Sequence, residues 1–303
     1  MTDRLDIAGR SIRFTNEDKV LWPETGTTKG DLLRYYLAVA PVLLPHLEER
    51  PLTLGRWPDG VDAQGWFQTT CPAPPEWIPT HPVPGRPGTR RPPNYCIVNE
   101  IAALAWMVNL AAIELHPLLG RRPAVDRPTA LVFDLDPAPD AAPATAAAVA
   151  VLVRDVLDRD GLRAVPKTSG GFGLHVVVPL APVHGYAEAK SYVRDVAREL
   201  AQRHPELVVD RQDRSLRAGR VLIDWNQNDE RKSTAAVYSV RALGFPSVST
   251  PLRWEELEAA ARGETPLLFD TATVLRRLER LGDLSRPMLE SDQRLPGRSP
   301  ASD

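Results

Sequence analysis

The run Leu131-Val132-Phe133-Asp134-Leu135-Asp136 puts Asp134 and Asp136 on one face of a strand and Leu131, Phe133 and Leu135 on the other, because strand side chains alternate. Two like charges on an otherwise apolar strand are costly unless a cation neutralises them, and hard divalent ions such as Mg²⁺ or Mn²⁺ take carboxylate oxygens. In Arg220-Val221-Leu222-Ile223-Asp224-Trp225 another acid, Asp224, points away from Val221, Ile223 and Trp225. Each acid alone also reads as a strand-end residue entering a turn. Three acids delivered from two strands are what two-metal phosphoryl transfer requires, with one ion activating a hydroxyl and one gripping the leaving phosphate.

Between these strands lies Lys167-Thr168-Ser169-Gly170-Gly171-Phe172-Gly173-Leu174-His175. Its glycines let backbone N–H groups approach an anion, and Thr168, Ser169 and His175 add donors. It lacks the GxxxxGK pattern of a Walker loop, and a tight turn with a structural histidine is its plainer reading. Gln227, Asn228, Arg231 and Lys232 follow Asp224, and Arg217, Arg220 and Arg241 flank them. Singly these are surface charges. Beside three acids they suit a nucleoside triphosphate, whose phosphate oxygens take guanidinium and ammonium donors.

The elements that must carry these residues are those of a soluble globular chain of 303 residues, 43% hydrophobic and 25% charged. A net charge of -2 excludes a nucleic-acid binder held by bulk charge, so any polyanion site must be local. No apolar run approaches the roughly 18 residues of a membrane helix and no signal segment opens the chain, so no membrane partner and a cytoplasmic, nucleoid-associated location are expected. Cys71 and Cys96 lie far apart without a CxxC, and we expect small packing residues rather than a disulfide or a zinc site. Only 5 of the 37 basic residues are lysines, Lys19, Lys29, Lys167, Lys190 and Lys232, which makes each worth tracking.

A polar cluster at 27–31 opens a helix with its apolar stripe at Leu32, Tyr35, Tyr36, Val39 and Leu43. Residues 52–57 and 65–69 read as strands, and the nine prolines between 72 and 93 predict a long surface loop. Asn99 can cap a helix through Ile101, Val108 and Ala112, followed by a strand at 113–116. Strands are then predicted at 129–136, 163–168, 174–180, 220–225 and 235–241, and helices at 141–158, 186–203, 254–262 and 271–281, with a frayed tail from 285. This alternation predicts an α/β (α+β) body of mixed β-sheets flanked by helices.

The segments Val132-Phe133-Asp134-Leu135-Asp136-Pro137, Thr168-Ser169-Gly170 with Gly173-Leu174-His175, Ser215-Leu216-Arg217-Ala218-Gly219 with Asp224-Trp225, and Tyr238-Ser239 with Arg241 together resemble the polymerase domain of bacterial ligase D. That domain belongs to the archaeo-eukaryotic primase superfamily and serves DNA end joining with the Ku protein. The resemblance covers nearly the whole chain. It implies a primase-polymerase-like core with an RRM-like palm, a single domain over 9–285 with an N-terminal subdomain at about 9–125 and a catalytic one at about 126–285, and a tail at 286–303. It makes Asp134, Asp136 and Asp224 the catalytic carboxylates, binding two Mn²⁺ or Mg²⁺ ions. His116, Ser169, His175, Arg217, Gln227, Lys232 and Arg241 fall among the nucleotide contacts, with Arg56 as a compensating cation. Asn16, Asp18-Lys19-Val20-Leu21, Pro23 and Thr27-Thr28-Lys29 also match, placing Lys19 and Lys29 on the 5′-phosphate of the downstream strand. Trp66-Phe67 matches an aromatic pair that stacks on the template base.

The implied activity is template-directed nucleotide transfer at gapped duplexes or broken DNA ends, with a preference for ribonucleotides. The ligase and nuclease modules of multi-domain relatives would not fit in 303 residues, so a ligase partner is expected on a separate chain. The chain departs from the family where lysines are common, with Gly55, Thr69 and Phe172 in their places. A DNA-end-binding scaffold of weak activity is therefore one alternative. The other is a haloacid-dehalogenase-type phosphatase, which also uses Asp-x-Asp at a strand end but normally opens its domain with it.

Overall fold

The computed structural model describes residues 2–85, 91–290 and 292–297. They form two compact units, one drawn from Met1–Val125, Ser233–Ser249 and Phe269–Asp283, the other from Asp126–Lys232, Thr250–Leu268 and Leu284–Asp303. The second unit is thus not the unbroken run from 126 to 285 expected above, since two later segments return to the first. The fold is α/β with mixed sheets, and no described helix is long and apolar enough to cross a membrane.

In the first unit, β1 (Thr2–Ile7) and β2 (Arg10–Thr15) form a hairpin whose alternation buries Ile12 and Phe14. Strands β3 (Val20–Trp22) and β4 (Thr27–Thr28) pair and lead into α1 (Lys29–Leu47). Thr28 caps that helix reciprocally: its hydroxyl accepts from Asp31 N at 3.1 Å and the Asp31 carboxylate accepts from Thr28 N at 2.9 Å. The stripe from Leu32 to Leu43 is buried, and the helix runs on past Pro41 and Pro45. Strand β5 (Pro51–Arg56) organises a five-stranded sheet with β6 (Trp66–Gln68), β7 (Thr80–Pro82), β8 (Asn94–Ile97) and β9 (Ala112–Pro117). Strand β9 runs antiparallel to β5 along most of its length.

Three expectations are corrected here. The proline-rich stretch contains β7, which among the described residues pairs only with β8; an edge place tolerates residues such as Pro82 that cannot donate. The N-cap position of helix α2 (Ile101–Asn109) is held by Glu100, whose side chain makes no capping hydrogen bond, and not by Asn99, whose amide nitrogen donates to Glu49 Oε1 at 2.5 Å. Cys71 and Cys96 form a disulfide: Cys71 N donates to Asn94 O at 2.7 Å, which draws the loop after β6 against β8 and leaves the two Cα atoms 4.9 Å apart.

The second unit is built on the sheet β11-β12-β10-β14-β13, from β10 (Ala130–Pro137), β11 (Val165–Thr168), β12 (Leu174–Pro179), β13 (Val208–Val209) and β14 (Val221–Ile223). Helices α3 (Pro143–Arg159) and α4 (Tyr186–Arg203) pack against β10, where Leu131, Phe133 and Leu135 are fully buried. The chain then crosses to the first unit for the hairpin β15 (Val240–Ala242) and β16 (Pro246–Val248), returns for α5 (Trp254–Ala261), and ends its helices with α6 (Thr271–Leu281) in the first unit.

The strand predicted at 235–241 shrinks to β15 because Tyr238 takes a left-handed φ of 64° and its N–H bonds Ser249 O. The strand predicted at 220–225 likewise ends at Ile223, and Trp225 opens a 3₁₀ turn. The frayed tail is corrected too. A 3₁₀ turn at Arg286–Leu289 buries Met288, and the buried Gln293 amide donates to Arg163 O and Pro179 O at 2.9 and 3.0 Å. Residues 298–303 of that tail lie outside the described ones.

Candidate active site

Asp134 and Asp136 leave the same face of β10, and register fixes their neighbours: His175 of β12 stands opposite Asp134, and Leu222 of β14 opposite Asp136. Asp224, two residues beyond Leu222, returns to that face, and its N–H donates to Asp134 O at 2.8 Å. One ligand oxygen of each acid lies within 4.8 Å of the others. Burial and the charges of Asp134 and Asp224 push the Asp136 carboxyl up to about 7, against a smaller opposing pull from Arg217. An acid held protonated by its neighbours near neutral pH marks a site that suits a cation.

Asp224 is also the turn-entry residue its position suggests: it caps the turn Trp225–Gln227, accepting from Asn226 N at 3.0 Å, and it accepts from Gln212 Nε2 at 2.8 Å and Gln227 Nε2 at 3.4 Å. Gln212 in turn accepts from Arg217 Nη2 at 2.8 Å. A chain of contacts thus runs from Arg217 through Gln212 to the acid. Buried His175, expected among the nucleotide contacts, has its Nε2 3.2 Å from Asp134 Oδ1, so its partner here is the carboxylate.

The glycine loop folds beside the acids. Ser169 N donates to Gly173 O at 2.9 Å, and Gly170 has a φ of 85° that favours glycine. A Cβ on Gly173 would stand 2.9 Å from Leu135 O and 3.7 Å from Asp136 Oδ1, so only glycine lets the loop lie this close to β10. Phe172, where the resemblance implies a lysine, is 85% exposed. Lys232 is exposed in the same unit.

In the first unit, His116 and Arg241 meet on one carboxylate that sequence reasoning missed. Glu114 Oε2 lies 2.7 Å from His116 Nε2 and 3.1 Å from Arg241 Nε. Burial raises the Glu114 pKa, but the His116 hydrogen bond and the Arg241 charge outweigh it and hold the carboxyl below its usual range. Arg56, expected as a compensating cation, donates to Leu110 O at 2.9 Å and Gln68 Oε1 at 2.6 Å and lies over the Trp66 ring. Trp66 and Phe67 are exposed on β6, with the Phe67 ring edge-on to the His116 imidazole at 5.1 Å. A lysine at Gly55 would collide with Glu114, since a Cβ there would stand 2.8 Å from Glu114 Cβ.

Lys19 and Lys29 are brought together where β3 meets α1, with Lys29 N donating to Lys19 O at 2.8 Å. Lys19 pairs with Asp59 at 3.1 Å. Lys29 is only 4% exposed, and its ammonium donates to Thr15 O at 2.6 Å and Asn109 Oδ1 at 2.8 Å. Burial, with Lys19 adding repulsion, lowers its pKa to about 8.

Asn228, expected within the polar run that suits a triphosphate, instead holds backbone. Asn228, fully buried, accepts from Val132 N and donates to Val132 O, both at 2.8 Å, which continues the β10 edge where β14 stops and fixes the segment after Asp224. No motif signals this, because an asparagine in a polar run looks solvated until the unpaired strand edge beside it is seen.

Residues 28–285 match the model of the LigD primase-polymerase domain. The chain is 39% identical over 280 residues to the multifunctional non-homologous end joining protein LigD of Mycolicibacterium smegmatis, covering 91% of this chain and 36% of that protein. It is 41% identical over 283 residues to the corresponding DNA repair protein of Mycobacterium tuberculosis strain H37Rv, covering 90% and 36%. It therefore spans about a third of the length of these relatives, 36% in each case. The solved polymerase domain of Mycobacterium tuberculosis ligase D in complex with DNA superposes with a TM-score of 0.86 at 38% identity, covering 92% of this chain and 98% of that one. With the family model matched over residues 28–285, most of its length, the chain belongs to the LigD primase-polymerase domain family.

Proposed function

We propose that this chain is a template-directed nucleotidyltransferase that extends primer 3′ ends at gaps and broken DNA ends during end joining, with ribonucleotides preferred. The observation that carries the reading is the cluster of Asp134, Asp136 and Asp224, three carboxylates with ligand oxygens within 4.8 Å of one another. Its donor set is all oxygen, which suits Mg²⁺ or Mn²⁺. Bound there, two ions supply Lewis acidity that activates the primer hydroxyl and neutralises the triphosphate. In the second unit, Ser169, Arg217, Gln227 and Lys232 take nucleotide oxygens, and His175 orients Asp134. In the first, His116 and Arg241 take phosphate oxygens, Trp66 and Phe67 stack on template bases, and Lys19 and Lys29 grip a 5′-phosphate. A DNA partner is supported by the related domain solved with DNA. Ku and a DNA ligase activity are the partners this role would need. The family's chemistry leaves no place for the phosphatase alternative.

Extension of a 5′-phosphorylated gapped duplex with Mn²⁺ tests the reading, run in parallel with ribo- and deoxyribonucleotides. Templated incorporation with ribonucleotides favoured is expected. No incorporation, alongside retained phosphate-dependent binding, would leave the end-binding scaffold instead.

The raised Asp136 pKa gives the metal site a pH signature. Below about 7 the cluster carries a proton that a cation must displace, whereas above it the carboxylates are already ionised. Mn²⁺ affinity should therefore rise with pH, by up to about tenfold per unit below neutrality, and level off by about pH 8. Titration calorimetry in buffers of different ionisation enthalpy should show close to one proton released per site at pH 6 and few at pH 8. Affinity independent of pH would remove the acids as ligands.

A further inference from the structure

Glu114 matches no expected contact, yet two expected contacts converge on it. It is 4% exposed on β9, and it faces Gly55 of β5 in register. Oxygen Oε1 accepts from Ala242 N at 2.9 Å, which pins the carboxylate to β15. Oxygen Oε2 serves both His116 Nε2 and Arg241 Nε. The absent side chain at Gly55 makes the room, because a Cβ there would lie within 2.8 Å of Glu114 Cβ.

We propose that Glu114 is a positioning residue that gathers the His116 imidazole and the Arg241 guanidinium onto one carboxylate, setting both as donors for the triphosphate of the incoming nucleotide. The inference rests on the nucleotide-binding reading of His116 and Arg241. An ionised carboxylate fixes Nε2 of His116 as a donor, and so orients the ring. With His116 protonated, one anion and two cations leave a net positive pair to meet a polyanion. Without the anion, the two donors lose the carboxylate that gathers them. A buried carboxylate held by two hydrogen bonds and an ion pair is also rigid, so His116 and Arg241 are set before the nucleotide arrives.

The test is Glu114→Gln, which keeps the shape and the acceptor for Ala242 N but removes the charge. On a gapped duplex, the KM for the ribonucleoside triphosphate should rise roughly tenfold, while kcat and the affinity for a 5′-phosphorylated duplex change less than about twofold. In a His116→Ala/Arg241→Ala background the same substitution should add nothing further, since Glu114 acts through those two residues. Glu114→Asp, which retains the charge at shorter reach, should give an intermediate KM and covers the case in which Glu114→Gln does not fold. An unchanged KM in a folded Glu114 variant, an undiminished effect in the doubly substituted background, or equal losses in kcat and duplex binding would each overturn the proposal. Absence of saturable nucleotide incorporation by the unsubstituted protein would instead overturn the polymerase reading itself.

Discussion

Asp134→Ala or Asp224→Ala should lower nucleotide incorporation by at least about 10³-fold while leaving duplex binding within a few-fold of the unsubstituted protein. A loss of that size corresponds to about 4 kcal/mol of transition-state stabilisation, within the range that metal and oxyanion contacts supply. The loss follows from charge, because two acids in place of three hold divalent ions less tightly, and the DNA-binding residues proposed above lie elsewhere. Asp224 also caps the turn Trp225–Gln227 and accepts from Gln212, so alanine there removes structure as well as charge. Asp134→Asn and Asp224→Asn separate the two, since the amide oxygen still accepts those bonds. Burial of the charged Asp136 carboxylate, and after it repulsion from Asp134 and Asp224, destabilise the cation-free fold, as its raised pKa indicates. The sign is that of a carboxyl pushed up on folding: its protonated form favours the fold at low pH, and that advantage is lost as pH rises from about 4 to about 7. At pH 8 the asparagine variants should therefore melt no lower than the unsubstituted protein without Mn²⁺, yet lose the Mn²⁺-induced rise in Tm. Primer extension at the unsubstituted rate, or an intact Mn²⁺ shift, would remove that acid from the metal site.

What could be read from the sequence was what depends on local period and local cost. Alternation placed Asp134 and Asp136 on one face, and an apolar strand makes paired acids conspicuous. The helix stripe from Leu32 to Leu43 and the full length of α4 follow from 3.6-residue periodicity in the same way. What stayed hidden depends on partners distant in the chain. Glu114 lies in a strand that reads as Ile-Glu-Leu-His, and only the return of residues 240–242 from more than a hundred positions later brings Arg241 and Ala242 N to it. The contacts that Gln212 makes with Asp224 and Asn228 with Val132 are invisible for the same reason. The disulfide was missed because Cys71 and Cys96 carry no spacing signal; proximity comes from the loop after β6 crossing to β8. Tyr238 broke a predicted strand through a left-handed φ that β-propensity does not foresee.

Lys29→Met should cut the preference for a 5′-phosphorylated over a 5′-hydroxyl duplex by about 10- to 100-fold, the worth of one charge-assisted hydrogen bond to phosphate at about 1.5–3 kcal/mol. Lys29 is more buried than an ordinary phosphate ligand, and its ammonium already donates to Thr15 O and Asn109 Oδ1. Those bonds, with the Phe14 ring 4.8 Å from the ammonium, hold Lys29 in place, so the proposed contact to phosphate comes from a fixed group and is not recruited from a mobile chain. Removing the ammonium leaves Asn109 Oδ1 its bonds from Thr15 N and Oγ1 at 2.9 and 3.2 Å, so the local fold keeps an anchor. The 5′-hydroxyl duplex is the internal control, because a general folding defect lowers both affinities and only loss of the phosphate contact lowers their ratio. Burial and Lys19 hold Lys29 at about 8 in the free protein, and a bound dianion would raise it. Binding of the phosphate therefore takes up a proton above that pH, and the preference for phosphate should fall from pH 8 to pH 9.5, by up to tenfold per unit. In Lys29→Met that fall should disappear along with the preference, whereas Lys19→Ala should reduce the preference and keep the pH dependence. A ratio unchanged in Lys29→Met, or a preference that is flat between pH 7 and pH 9.5, would mean that the buried ammonium serves the fold alone and the 5′-phosphate is held elsewhere.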